Sequence, residues 1–141
     1  TPDADYIRDL FAARAAIEPA AVRWGEFADA PSLVALTSSA FDYAARGEHN
    51  EVSSINQQFH RKLVASLGSP TLNEQMDNLL ARMRLTFLLA IPRYPQLHAD
   101  HIQGNIALAT LIADGKRLEA ATLSHDSLMN TCEKILAVLD D

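Results

Sequence analysis

Apolar residues recur at spacings of three, four and seven along almost the whole chain, and no stretch alternates apolar and polar residues with the β-branched enrichment of a strand. A chain of this kind buries its apolar side chains by packing helices on helices. Short connections between successive helices make neighbours antiparallel, so the expected fold is an all-α, antiparallel bundle of about six or seven helices. With 141 residues, 48% of them hydrophobic, the chain reads as one domain, residues 1–141, with enough apolar material to form its own core.

Glycine and proline divide the pattern. The first helix is expected from about Asp3 to Phe27, its stripe formed by Ile7, Leu10, Phe11, Ile17, Ala21 and Trp24. Pro19 removes a hydrogen bond inside it and predicts a kink or a break. "ADAPSLVAL" opens the second helix, with Asp29 or Ala30 at the cap and Pro31 in the first turn, and Gly47 closes it. The third runs from about Glu48 to Leu67 and stops at Gly68; Ser69 and Pro70 then cap and start the fourth. "IPRYP" turns the chain into a fifth helix of roughly Leu97 to Ala113, and "ADGK" leads to a sixth whose seam reads Leu118, Ala121, His125, Leu128, Cys132, Ile135 and Leu139.

Several classes of function are disfavoured. The longest apolar run, "LTFLLAI", is far below the ~20 residues that span a bilayer, and no basic-then-apolar leader opens the chain. The single cysteine, Cys132, lies in an apolar seam and suits a reducing compartment, so the expected location is cytoplasmic. A net charge of -6 disfavours direct nucleic-acid binding, which depends on clustered lysine and arginine. The opening "TPDADYIRDL" enters a helix almost at once and reads as a start at a domain boundary. No nucleophile elbow, HExxH pair or phosphate-cradling glycine loop occurs, so no enzymatic activity is expected.

Polar residues on the apolar faces are the functional signal. At ~100° per residue, Asn56 and His60 share the side of the third helix that carries Val52, Ile55, Phe59 and Leu63. Asn105 lies within the fifth helix's stripe, His101 sits one turn earlier near its edge, and the phase of the sixth helix turns His125 inward and Ser127 away. An unpaired buried polar group costs roughly 1–3 kcal/mol, so inward groups on three helices either satisfy one another or line a ligand cavity. Arg14, one turn before Glu18, reads alone as half of an i,i+4 surface pair, and Arg84 as a cation bordering the fourth helix's apolar face. In a cavity, either would clamp a carboxylate or a phosphate.

Three segments resemble a known family. "ARAAIEPAAVRWGEF" (13–27) is similar to an Arg-x-x-(Leu/Ile)-Glu opening, and "NQQFHRKLVASLGSPTL" (56–72) to a D-x-x-FH-x-x-L-x-x-x-x-x-N-x-x-L core. "NIALATLIADGKRLEAA" (105–121) is similar to H-x-x-I-x-x-A-I-x-x-G-D-x-x-x-A. Together they resemble the FadR-type C-terminal domain (FCD) of GntR-superfamily transcription regulators, in order and spacing over nearly the whole chain.

The resemblance implies an effector-binding, homodimeric helical domain that follows a winged helix-turn-helix. In many members an Asp and three His hold a metal against which a small organic acid binds; others lack the metal. The Asp place falls on Asn56 and the first His on His60, while the remaining two fall on Asn105 and Ser127. His101 and His125 are nearby substitutes, and Asn105 and His125 stand level, each ten residues from Gly115. The expected effector site is therefore Asn56, His60, Arg84, Asn105, His125 and Arg14. The metal set implied by the resemblance is His60, His125, His101 and Asn56, without an anionic ligand and so a weak holder of zinc, nickel or manganese. DNA would be reached only through the upstream domain, with no membrane partner. The rival readings are a metal-dependent helical enzyme and a purely structural dimerisation bundle.

Overall fold

The computed structural model describes residues 2–140 as six α-helices and one short 3₁₀ turn, with no strand among them. The helices are α1 (Ala4–Trp24), α2 (Ala30–Ala45), α3 (His49–Ala65), α4 (Pro70–Ala90), α5 (Leu97–Ala113) and α6 (Arg117–Leu139), with the 3₁₀ turn at Ile91–Arg93 between α4 and α5. Among the described residues no helix is long and apolar enough to cross a membrane.

Local chemistry sets the boundaries. Asp3, Asp29 and Ser69 each accept a backbone N–H of the first turn of α1, α2 and α4, and prolines occupy the first turns of α2 and α4. Gly47, Gly68 and Gly115 follow α2, α3 and α5 with φ of 72°, 66° and 77°, a left-handed conformation that glycine adopts without a side-chain clash. α1 continues through Pro19 as one element, so of the expected kink or break the break does not occur. The residues on either side of it, Glu18, Ala21 and Val22, are all buried, so packing holds the helix where one backbone hydrogen bond is missing.

α1 packs along α6, α2 along α5, and α3 bridges α1, α2, α4 and α5. One core cluster joins α1, α4 and α6 through residues such as Phe11, Met83 and Ile135. A second joins Val22, Leu33, Phe59, Leu63 and Ile112 across α1, α2, α3 and α5. The end of α1 is held by Arg117, which donates to the carbonyls of Val22 at 2.5 Å and Gly25 at 2.6 Å while its guanidinium lies over Phe27.

Gly25 is where α1 meets the end of α3. A Cβ added there would lie 1.8 Å from Ser66 Oγ and 2.6 Å from the Ala21 carbonyl oxygen. Ser66 Oγ can rotate away, but Ser66 Cβ, also at 2.6 Å, and the Ala21 carbonyl can yield only if the backbone moves. Gly25→Ala is therefore expected to cost ~1–3 kcal/mol, read as a lower urea midpoint with an unchanged slope.

Two apolar expectations differ from the fold. Trp24 is 70% exposed, with the Arg23 guanidinium 4.1 Å above its ring, and Leu118 is also 70% exposed. Both stand at helix ends, where the periodic stripe runs past the elements it packs against.

Candidate functional site

A cavity of about 390 Å³ lies between the two main core clusters, walled by α1, α3, α4, α5 and α6. A connected series of polar side chains forms one side of it. On α1, Arg14 Nε donates to Glu18 Oε2 at 2.6 Å, one helical turn away. Glu18 is fully buried and Arg14 is 2% exposed. The other Glu18 oxygen, Oε1, faces His60 Nδ1 of α3 at 2.5 Å. His60 Nε2 lies 3.1 Å from Asn105 Oδ1 of α5, and Asn105 Nδ2 donates to Asn56 Oδ1 at 2.7 Å. Three helices are thus tied by one unbroken line of hydrogen bonds.

The electrostatics follow from burial and from these partners. Withdrawal from water would by itself raise the Glu18 carboxyl, but the Arg14 guanidinium and the His60 ring outweigh it and hold the group at about 2. Glu18 is therefore an anion in the folded protein at neutral pH, and its charge is compensated in place.

His101 also lines the cavity, with its ring edge-on to Phe87 at a centroid distance of 5.0 Å. Burial, with His60, Arg14 and His98 nearby, lowers it to about 3, so it is a neutral imidazole at pH 7. Across the cavity, Tyr94 donates to Asp100, and Lys134 Nζ lies 3.8 Å from the same carboxylate. Burial and then Asp100 push the Tyr94 phenol up to about 12.

Of the residues expected from the sequence, Arg14, Asn56, His60, His101 and Asn105 come together on this cavity. Arg84 does not; it is exposed and borders a separate space of about 50 Å³, which Asn56, Phe87 and His101 divide from the larger one. His125 also lies elsewhere. Its side chain is 54% exposed, with Nδ1 3.1 Å from Asp126 Oδ1, and Ser127 is the residue of that pair on the cavity wall.

The reason is the rotation of α6. Its buried line runs Ala120, Ser124, Leu128, Cys132, so small and hydroxylic residues face the bundle and His125 is turned ~100° outward from Ser124. The sequence seam followed the larger apolar side chains and was off in phase in the first half of the helix. Glu18 was missed as a site residue, although an Arg–Glu i,i+4 pair inside an apolar stripe was its signal. Ser124, Thr131 and Lys134 are further cavity residues with no comparable signal.

The side chains present do not suit a metal. Among the described residues no group of three or more His, Cys, Asp and Glu could hold an ion. Both ring nitrogens of His60 and the Asn56 carbonyl oxygen already have protein partners, and His125 is on the surface.

A family model described as the FCD domain matches residues 9–129. No curated protein and no solved structure matches the chain.

Proposed function

The chain belongs to the FCD family, the helical effector-binding domains of FadR-type GntR-superfamily regulators, and from that premise we propose that its cavity binds a small organic acid that modulates DNA binding. The observation that carries this reading is the cavity itself. It measures about 390 Å³, within the range that small-molecule sites occupy, and amides, hydroxyls and imidazoles from three helices, α3, α5 and α6, converge on it. A bundle serving only as a structural dimerisation unit has no use for such a space, because filling it with apolar side chains would be more stable.

Recognition would rest on directed hydrogen bonds. Arg14 is bound by Glu18, so the cavity offers an acid one buried guanidinium already in partnership, together with the Asn56 and Asn105 amides and the Ser124, Ser127 and Thr131 hydroxyls. The domain would work in the cytoplasm as a homodimer. Leu85, Leu88 and Leu89, exposed along α4, supply apolar surface for a second copy. Ligand would favour one arrangement of the bundle, and the dimer would carry that preference to winged helix-turn-helix units preceding each chain.

A thermal-shift screen with small mono-, di- and hydroxy-acids tests the reading. Binding to the folded state alone stabilises by RT ln(1 + [L]/Kd), about 2.7 kcal/mol at a hundredfold excess over Kd. A shift of several degrees with a defined subset of acids is expected. A flat response across the panel points instead to the structural bundle.

A further inference from the structure

We propose that the side-chain series Arg14, Glu18, His60, Asn105 and Asn56 takes the place of a divalent metal as the rigid polar element of this cavity, so that the domain binds its ligand without an ion. The proposal rests on the donor geometry and does not depend on which acid is the effector.

A metal in such a cavity would have two tasks: to tie ligating side chains of different helices together, and to present a fixed polar centre to the ligand. The hydrogen-bond series performs the first. Glu18 on α1, His60 on α3 and Asn105 on α5 are joined at 2.5 and 3.1 Å, and Asn56 is joined to Asn105 at 2.7 Å. His60 is at the centre of the series. Its ring is held from both sides, so neither nitrogen can accept an ion without breaking a bond to Glu18 or to Asn105.

The second task falls to Asn56 and His101. Asn56 Oδ1 is occupied by Asn105, which leaves the amide NH₂ as the group Asn56 has to offer. That end can donate to a carboxylate or hydroxyl oxygen of a ligand. The His101 ring, on the same wall, carries no protein hydrogen bond among the described residues, so its nitrogens are open to a ligand oxygen, as donor or acceptor according to the tautomer. Glu18 supplies the anionic charge of the cluster, but Arg14 and His60 already take both of its oxygens.

The test titrates the wild-type protein with Ni²⁺ and Zn²⁺ by calorimetry and compares its unfolding temperature with and without EDTA. No saturable binding and no effect of EDTA are expected. The triple variant Asn56→Asp, Asn105→His, Ser127→His adds a carboxylate and two imidazoles to the lining of the cavity that His60 faces, and is expected to gain one ion per chain and an EDTA-sensitive unfolding temperature.

One ion per chain in the wild type, lost in His60→Ala, overturns the proposal. So does a folded triple variant that gains no ion, because the series would then not stand where a metal can be held. His60→Ala in the wild-type background keeps the test decisive if the triple variant does not fold. Its unfolding temperature should fall by the same amount in the presence and absence of EDTA, and an EDTA-dependent difference would contradict the proposal.

Discussion

Glu18→Ala is expected to lower the stability of the domain by ~3–5 kcal/mol, a large part of the ~5–15 kcal/mol that holds a typical domain together. The magnitude comes from what the substitution leaves behind. Arg14 is 2% exposed and its Nε donates to Glu18 Oε2 at 2.6 Å, so truncating the carboxylate strands a guanidinium away from water. His60 also loses its partner at Nδ1. Two controls separate charge from packing: Glu18→Gln keeps the shape and removes the charge, and replacing Arg14 and Glu18 together by Met and Leu removes the stranded cation. The double replacement should recover part of the loss, because apolar residues of similar volume often substitute for a buried ion pair at little cost. Urea unfolding at pH 7.5 gives the comparison. A loss below ~1 kcal/mol for Glu18→Ala would mean that Arg14 reaches solvent without its partner.

Acid is expected to destabilise the domain in two stages. His101 sits at about 3 in the folded protein against 6.5 for the free side chain, so between those values the unfolded chain takes up a proton that the folded chain refuses. Its contribution is complete above pH 6.5 and declines as the pH falls toward 3. Glu18 acts in the same direction at lower pH. The folded carboxyl stays ionised down to about 2, while the unfolded one protonates near 4.5, so stability is lost across that interval as well. Urea midpoints at pH 7.5, 5.5 and 3.5 should fall in order. In His101→Asn both falls should be reduced, the one from 5.5 to 3.5 by more, and the part of it that remains belongs to Glu18. Equal pH dependence in wild type and variant would remove His101 as the cause of the first stage.

Legibility in the sequence followed the range of the interaction. Asp29 with Pro31, Ser69 with Pro70, and the glycines at 47, 68 and 115 act within one or two turns of chain, and all six helices follow from them and from apolar spacing. Pro19 does not break α1 because its local cost is outweighed by burial of Glu18, Ala21 and Val22, which the linear pattern does not weigh. On α3 and α5 the apolar stripe is broad enough to fix the phase, and Asn56, His60 and Asn105 face the cavity as the phase indicated.

On α6 the phase was ambiguous. Alanine and serine occupy the buried line at 120 and 124, because small residues let α6 approach its neighbours, and small residues carry little weight in a hydrophobic pattern. Arg14 and Glu18 illustrate another limit. An i,i+4 ion pair has the same spacing on a surface and in a core, and only the burial supplied by α3, α4 and α6 around α1 decides which it is.

The central claim is that a small acid enters this cavity, and the most direct measurement is a side-chain amide NMR titration. The NH₂ resonances of Asn56 and Asn105 are followed as the acids of the thermal-shift panel are added, with the Trp24 indole N–H as a surface control, since Trp24 is 70% exposed and remote from the cavity lining. Saturable movement of both asparagine amides with at least one acid, while the Trp24 signal stays fixed, is the expected result. Amide resonances unmoved by every acid, or shifts confined to the surface, would contradict an effector site in the bundle.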